Sequence, residues 1–196
     1  MAPIKPDWIQ PSHPEILQVV YGNDVDKFQS KTYSIIRMPP NSDRIPKIFK
    51  SIQSNSLCQV FAKLTEPPCS IAQGPSYDTV QVAKDIHLQL NSDLMYLDHS
   101  CDPSLIVDTA QRTIFTGPQG LIPGQELTFF YPSTEWSMDQ PFDCNCRSQN
   151  CLGRISGARF LNPHELKGRW INHHILEMFR DSEKIRLSSN SCAPNP

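Results

Sequence analysis

The sequence predicts a mainly β fold with some α structure, closed by a C-terminal helix, on three observations. Proline accounts for 18 of 196 residues, about 9% against a usual ~5%, and such punctuation suits short strands better than long periodic helices. Apolar residues alternate from Val80 to Leu90 with period two, at 80, 82, 86, 88 and 90. Near the C-terminus the spacing turns helical, behind an Asn162-Pro163-His164-Glu165 start signal.

In chain order, residues 1–28 form an extended lead segment with Pro at 3, 6, 11 and 14. Its Ile16, Leu17, Val19, Val20 and Tyr21 make a first strand or short helix. Residues 31–37, rich in β-branched and aromatic side chains and stopped by Pro39-Pro40, read as a strand. Residues 47–64 are ambiguous: Ile48, Phe49 and Ile52 have helical spacing, whereas 58–62 look extended. After Pro67-Pro68-Cys69 comes the alternating run, then strands at 104–107 and 112–115. A turn at 117–120 and a strand at 127–131 follow. Asn162 caps a helix whose apolar face carries Leu166, Trp170, Ile171, Ile175, Met178 and Phe179. The domain plan is thus a lead segment (1–28), a main domain (29–141), a cysteine loop (142–158), a helix (159–186) and a flexible tail (187–196).

Composition narrows the function. Lys and Arg number 18 against 20 Asp and Glu, for a net charge of −2, so no basic field exists to hold a nucleic acid directly. No apolar stretch approaches the ~20 residues of a membrane span, and the N-terminus lacks the apolar core of a secretory signal. An intracellular protein is expected, cytoplasmic or nuclear, and the seven cysteines are then free, metal-bound or catalytic rather than paired.

Three of them, Cys144, Cys146 and Cys151, fall in a window too short to hold a core. Tetrahedral zinc takes four ligands, and such a loop delivers three while a fourth comes from elsewhere, Cys101 being the best candidate. A Cys144–Cys151 disulfide and unligated thiols are the alternatives. Cys58 and Cys69 read as buried thiols and Cys192 as a tail residue.

The segment Tyr96-Leu97-Asp98-His99-Ser100-Cys101-Asp102-Pro103-Ser104 resembles the Asn-His-Ser-Cys-x-Pro-Asn motif of SET-domain lysine methyltransferases. Gly124-Gln125-Glu126-Leu127-Thr128-Phe129-Phe130-Tyr131 resembles their Gly-Glu-Glu-Leu-Thr-Phe-Asp-Tyr motif, and the cysteine trio is similar to their post-SET loop. The resemblance covers residues 80–158. It implies a β-clip of small curved sheets with a knot-like threaded segment, a structural zinc ion on Cys101, Cys144, Cys146 and Cys151, and S-adenosylmethionine held near Asp98 and His99. It further implies Tyr131 at the point of methyl transfer to an amine, from a protein lysine or a small molecule. Phe129, Tyr96, Trp136 and Phe142 are candidates for the aromatic walls of that channel, and Glu126 and Glu135 for nearby bases.

Several positions depart from the family's pattern. Asp98 replaces an asparagine, so it accepts hydrogen bonds without donating, repelling a carboxylate and attracting an ammonium. Ser104 replaces a longer asparagine, Phe130 an aspartate, Asn91-Ser92 a Gly-Asn pair, and Met95-Tyr96 an Arg-Phe pair. The early Gly-x-Gly segment has no counterpart, residues 31–36 holding no glycine. Two other functions therefore stand beside amine methylation. One is a divergent scaffold, without methyl transfer, serving a small-molecule reaction of specialised metabolism; the other is a zinc-stapled interaction module. His173 and His174 are read as surface or edge residues, and Asp102 as a possible ion-pair partner of Arg147.

Overall fold

A computed structural model describes residues 7–21, 34–37 and 59–190. It is mainly β, built from small sheets whose strands are no longer than five residues. The short strands follow from the chain's frequent prolines and turns, which interrupt every extended run.

Strand β1 (Gln18–Tyr21) pairs antiparallel with β2 (Ser34–Arg37); the first strand is thus a strand, not a helix. Ahead of it, the lead segment is tied to the 3-10 turn Asp93–Tyr96. The fully buried Asp93 carboxylate accepts hydrogen bonds from Trp8 Nε1 at 2.8 Å, Gln10 Nε2 at 2.5 Å and the Ser12 amide at 2.5 Å. Leu17 drops into the core beside Leu94 and Tyr96.

The second sheet has the order β3 (Val60–Lys63), β9 (Thr113–Thr116), β8 (Leu105–Asp108), all antiparallel. Strands β8 and β9 begin one residue later than their sequence pattern suggests. Their hairpin is turned by Asp108, whose carboxylate accepts from the Gln111 amide at 2.9 Å and from Gln111 Nε2 at 2.8 Å. Strand β3 likewise runs slightly later than 58–62, and most of the ambiguous 47–64 stretch lies outside the described residues.

The alternating run is two strands, not one. β5 (Thr79–Ala83) turns back as β6 (Ile86–Gln89), with β4 (Ser70–Ile71) on the far side of β6. Val80 faces Leu88 and Gln81 faces His87 across the pair. Even positions oppose even positions as far as the Gln81–His87 pair; a register shift then sets Ala83 opposite Ile86, so the alternation slips by one residue next to the turn.

Strand β7 (Asp98–His99) pairs in parallel with β10 (Thr128–Phe129), in the register Thr128 to Asp98 and Phe129 to His99. The predicted strand at 127–131 is shortened because Tyr131–Ser133 coils into a 3-10 turn. Ser104, buried beside this pair, accepts the Thr128 amide at 2.9 Å and donates to the Glu126 carbonyl at 3.1 Å, which ties β10 to the chain after β7.

The predicted single helix is broken. Asn162 and Glu165 form the expected capping box, with Asn162 Oδ1 accepting the His164 and Glu165 amides and Glu165 Oε2 accepting the Asn162 amide. The helix covers only Pro163–Leu166, and Gly168 then takes a positive φ of 78°. A second helix, His173–Asn190, docks through fully buried Ile175 and half-buried Met178 and Phe179, while Trp170 remains 48% exposed. Among the described residues no helix is long and apolar enough to cross a membrane.

Candidate functional site

Strands β11 (Phe142–Asp143) and β12 (Arg154–Ile155) form a hairpin that presents the cysteine loop. Its turn is closed by the Cys144 amide donating to the Gly153 carbonyl at 2.5 Å and the Cys151 amide to the Ser148 carbonyl at 3.1 Å. Arg147 and Gly153 both take positive φ, 58° and 75°. This folding turns Cys144, Cys146 and Cys151 towards Cys101, which follows β7 and is buried.

The four sulfur atoms lie within 4.8 Å of one another, and all four cysteines are free thiols. A tetrahedron of 2.3 Å zinc–sulfur bonds has edges of about 3.8 Å, so the cluster fits a metal ion of that kind after small adjustments. Its chemistry agrees. Burial pushes the Cys101 and Cys144 thiols up, with neighbouring cysteines adding to the effect, whereas at Cys146 hydrogen bonds from Ser148 outweigh burial and bring the thiol down. Four thiolates cannot share this space by themselves; a dication would neutralise their mutual repulsion.

Tyr131 is connected to this centre through His99. Its backbone N–H donates to His99 Nδ1 at 3.1 Å, and its hydroxyl donates to the Leu97 carbonyl at 2.8 Å. The ring packs against Phe129 at 4.7 Å, His99 at 5.2 Å and Phe142 at 6.0 Å between centroids. Burial, then the charges of Asp98 and Glu135, push the phenol well above its ordinary value. It therefore stays protonated at neutral pH and acts as a donor, not as a base. His99 goes the other way: burial, then the Arg169 guanidinium, pushes it down to about 3, so its imidazole is neutral.

Two carboxylates flank the tyrosine. Asp98 Oδ1 accepts the His99 amide at 2.7 Å, and burial raises its pKa despite that bond. Glu135 Oε1 accepts the Gln81 amide at 2.8 Å and the Thr134 hydroxyl at 3.1 Å, yet burial pushes the carboxyl up to about 7. The second oxygen of each has no hydrogen-bond partner among the described residues. Glu126, the other candidate base, is exposed.

The structure thus brings Asp98, His99 and Tyr131 into one neighbourhood with Cys101, Cys144, Cys146 and Cys151. Phe129 and Phe142 pack against the tyrosine ring. Trp136 does not: its indole meets Phe179 edge-on at 4.8 Å, under the C-terminal helix. Tyr96 belongs to the main core and Cys69 is buried there as well. His173 is exposed and pairs with Glu177 at 3.5 Å, but His174 is no surface residue. It is buried, with Nε2 at 2.8 Å from the Thr134 carbonyl, because the helix begins just before it and turns it inward. No ion pair joins Asp102 to Arg147 among the described residues. Cys58 and Cys192 lie outside the described residues, as do residues 31–33 of the missing glycine segment.

Two supporting residues gave no signal in the sequence. Arg169 donates from Nη1 to the Cys101 carbonyl, from Nη2 to the Asn150 carbonyl at 2.8 Å and from Nε to the Glu165 carbonyl at 2.9 Å. Its guanidinium also covers the Phe130 ring at 4.7 Å. Asn172, 2% exposed, accepts the Thr109 amide and donates to the Val107 and Ser133 carbonyls, fixing the turn that carries Tyr131. Neither belongs to a periodic pattern or motif.

The chain belongs to a methyltransferase family, by a similarity that runs through most of its length. Over 179 residues, 91% of this chain and 89% of the relative, it is 36% identical to the methyltransferase flvH of Aspergillus flavus. The chain matches no family profile.

Proposed function

We propose that this protein is a SET-type N-methyltransferase that transfers a methyl group from S-adenosylmethionine to an amine, either a protein lysine or a small molecule. The observation that carries the reading is the setting of Tyr131: a protonated phenol anchored on the Leu97 carbonyl, walled by Phe129 and Phe142, and linked through His99 to the four-thiol cluster. The relation to a methyltransferase supports the reaction class. Parallel pairing of β7 with β10, segments well separated in sequence, supports the threaded SET arrangement.

When bound, S-adenosylmethionine supplies an electrophilic methyl group on a sulfonium. The Asp98–His99 segment would hold it. The second Asp98 oxygen, on a carboxyl whose pKa burial raises, suits the cofactor's ammonium. Cys101, Cys144, Cys146 and Cys151 would hold one zinc ion, structural because all four positions are protein thiolates. Around the acceptor, the chain's own groups act in three ways. The aromatic walls exclude water and favour the uncharged amine that attack requires. The Leu97 carbonyl and Tyr131 oxygen would offer their lone pairs to the partial positive charge of a methyl group in transfer. The hydrogen bond from the Tyr131 amide to His99 would keep the tyrosine in place for an in-line displacement.

The test is transfer of an isotope-labelled methyl group from S-adenosylmethionine to lysine-containing peptides and to free amines. Label is expected in an N-methyl product from at least one class. No label in either class, together with no calorimetric heat at millimolar cofactor, would defeat the reading.

A further inference from the structure

The imidazole of His99 stands between the thiol cluster and Tyr131, and its two nitrogens meet different partners. Nδ1 is 3.1 Å from the backbone nitrogen of Tyr131. A peptide N–H can only donate, so Nδ1 must present its lone pair. In a neutral ring the proton then sits on Nε2, which lies 3.3 Å from the Cys101 sulfur. That sulfur also faces the Leu152 amide at 3.4 Å. The ring is 6% exposed and is enclosed by Phe130 and Phe142, each at 5.7 Å, and by the Tyr131 ring at 5.2 Å.

We propose that His99 is a positioning residue that couples the metal-bound sulfur of Cys101 to the backbone of Tyr131 through a single imidazole, hydrogen-bonded at both nitrogens. The proposal rests on the four cysteines holding a metal ion. A metal-bound thiolate accepts an N–H more strongly than a thiol does. Donation from Nε2–H in turn makes Nδ1 a better acceptor, because hydrogen bonds in a chain polarise one another. Groups that stand behind a ligand orient it and tune the metal; here the same group also holds the main chain of the residue at the presumed transfer point. Filling the metal site therefore tightens Tyr131, and emptying it loosens Tyr131 without any direct contact between tyrosine and metal.

The full chain, labelled with nitrogen-15 and loaded with cadmium-113 in place of zinc, tests this by NMR. His99 is assigned by comparison with His99→Gln. Its Nε2 is expected to be protonated and its Nδ1 bare, and the Nε2 proton should correlate with cadmium across the hydrogen bond, as should the Leu152 amide proton. Removing the metal should speed exchange of the Tyr131 amide ~10-fold or more, as local opening becomes easier. Cadmium uptake with a protonated Nδ1, or with a Leu152 correlation and none from His99, would overturn the coupling and leave the metal reading standing. Uptake of less than half an equivalent would overturn both.

Discussion

Replacing Tyr131 by Phe removes one oxygen and, with it, the hydrogen bond to the Leu97 carbonyl. The ring contacts with Phe129, His99 and Phe142 survive, so the fold should hold, losing about 1–3 kcal/mol for the buried Leu97 carbonyl left without its partner. If the phenol steadies the moving methyl, kcat should fall ~100-fold or more, the usual cost of losing one preorganised polar group. Steady-state kinetics beside a thermal melt and a metal assay separate these effects, and an unchanged kcat would remove Tyr131 from the chemistry. Glu135 makes a prediction of a different kind. Its folded pKa of about 7 lies above its ordinary 4.5, so the native state binds the extra proton between those values. The stability this contributes is fully present below about 4.5 and is lost as pH rises through about 7. Glu135→Gln keeps the neutral form at every pH. In urea unfolding, the stability of wild type relative to this variant should therefore decline by about 2 kcal/mol across the window, allowing for solvent at the half-buried carboxyl. A flat difference would show that the carboxyl is not raised. The buried His87 and His174 titrate in the opposite sense and are common to both proteins, so they cancel in the comparison.

Gly157 joins the cysteine hairpin to the segment after Tyr131, and its φ of 109° falls where side chains are not tolerated. A Cβ there would lie 2.6 Å from the Trp136 carbonyl oxygen and 2.7 Å from the Ser137 Cα, both backbone atoms. Gly157→Ala should cost about 3 kcal/mol or more, measurable by denaturant unfolding; a loss under 1 kcal/mol would mean that the junction yields. Elements of this sort mark the edge of what the sequence discloses. The β8–β9 hairpin, the Asn162 cap and the four converging cysteines were legible, because each depends on local periodicity, on one capping residue or on ligand spacing. The hairpin within residues 79–89 was hidden because opposed residues share parity along most of its length, the shift that pairs Ala83 with Ile86 coming only next to the turn. The break between the two C-terminal helices was hidden because Trp170 and Ile171 happen to continue the helical spacing across it. Arg169 and Asn172 act through backbone carbonyls of distant segments, and a partner without a side-chain signature leaves no trace in composition or period.

Across the whole molecule, the thiol cluster binds together segments that otherwise share little secondary structure. Carefully prepared protein should carry about one zinc per chain, by elemental analysis, and a chelator should raise hydrogen exchange from Phe142 to Ile155 before it affects the β3–β9–β8 sheet. Simultaneous loss of both regions would show that the metal supports the entire fold rather than one lobe. The parallel register of β7 with β10 carries a consequence for how the protein comes to be folded. Two-residue strands hold few bonds, and this pair must enclose a loop of ~30 residues before it can form, a substantial entropic barrier for so little immediate return. Arg169, which braces Cys101 and Asn150, lies beyond that whole loop in the chain. On the ribosome, then, the sheets upstream can assemble while the proposed transfer site is still open. The proposed transfer site would then be the last part to take shape, and an emerging chain would be kept inactive by its own topology.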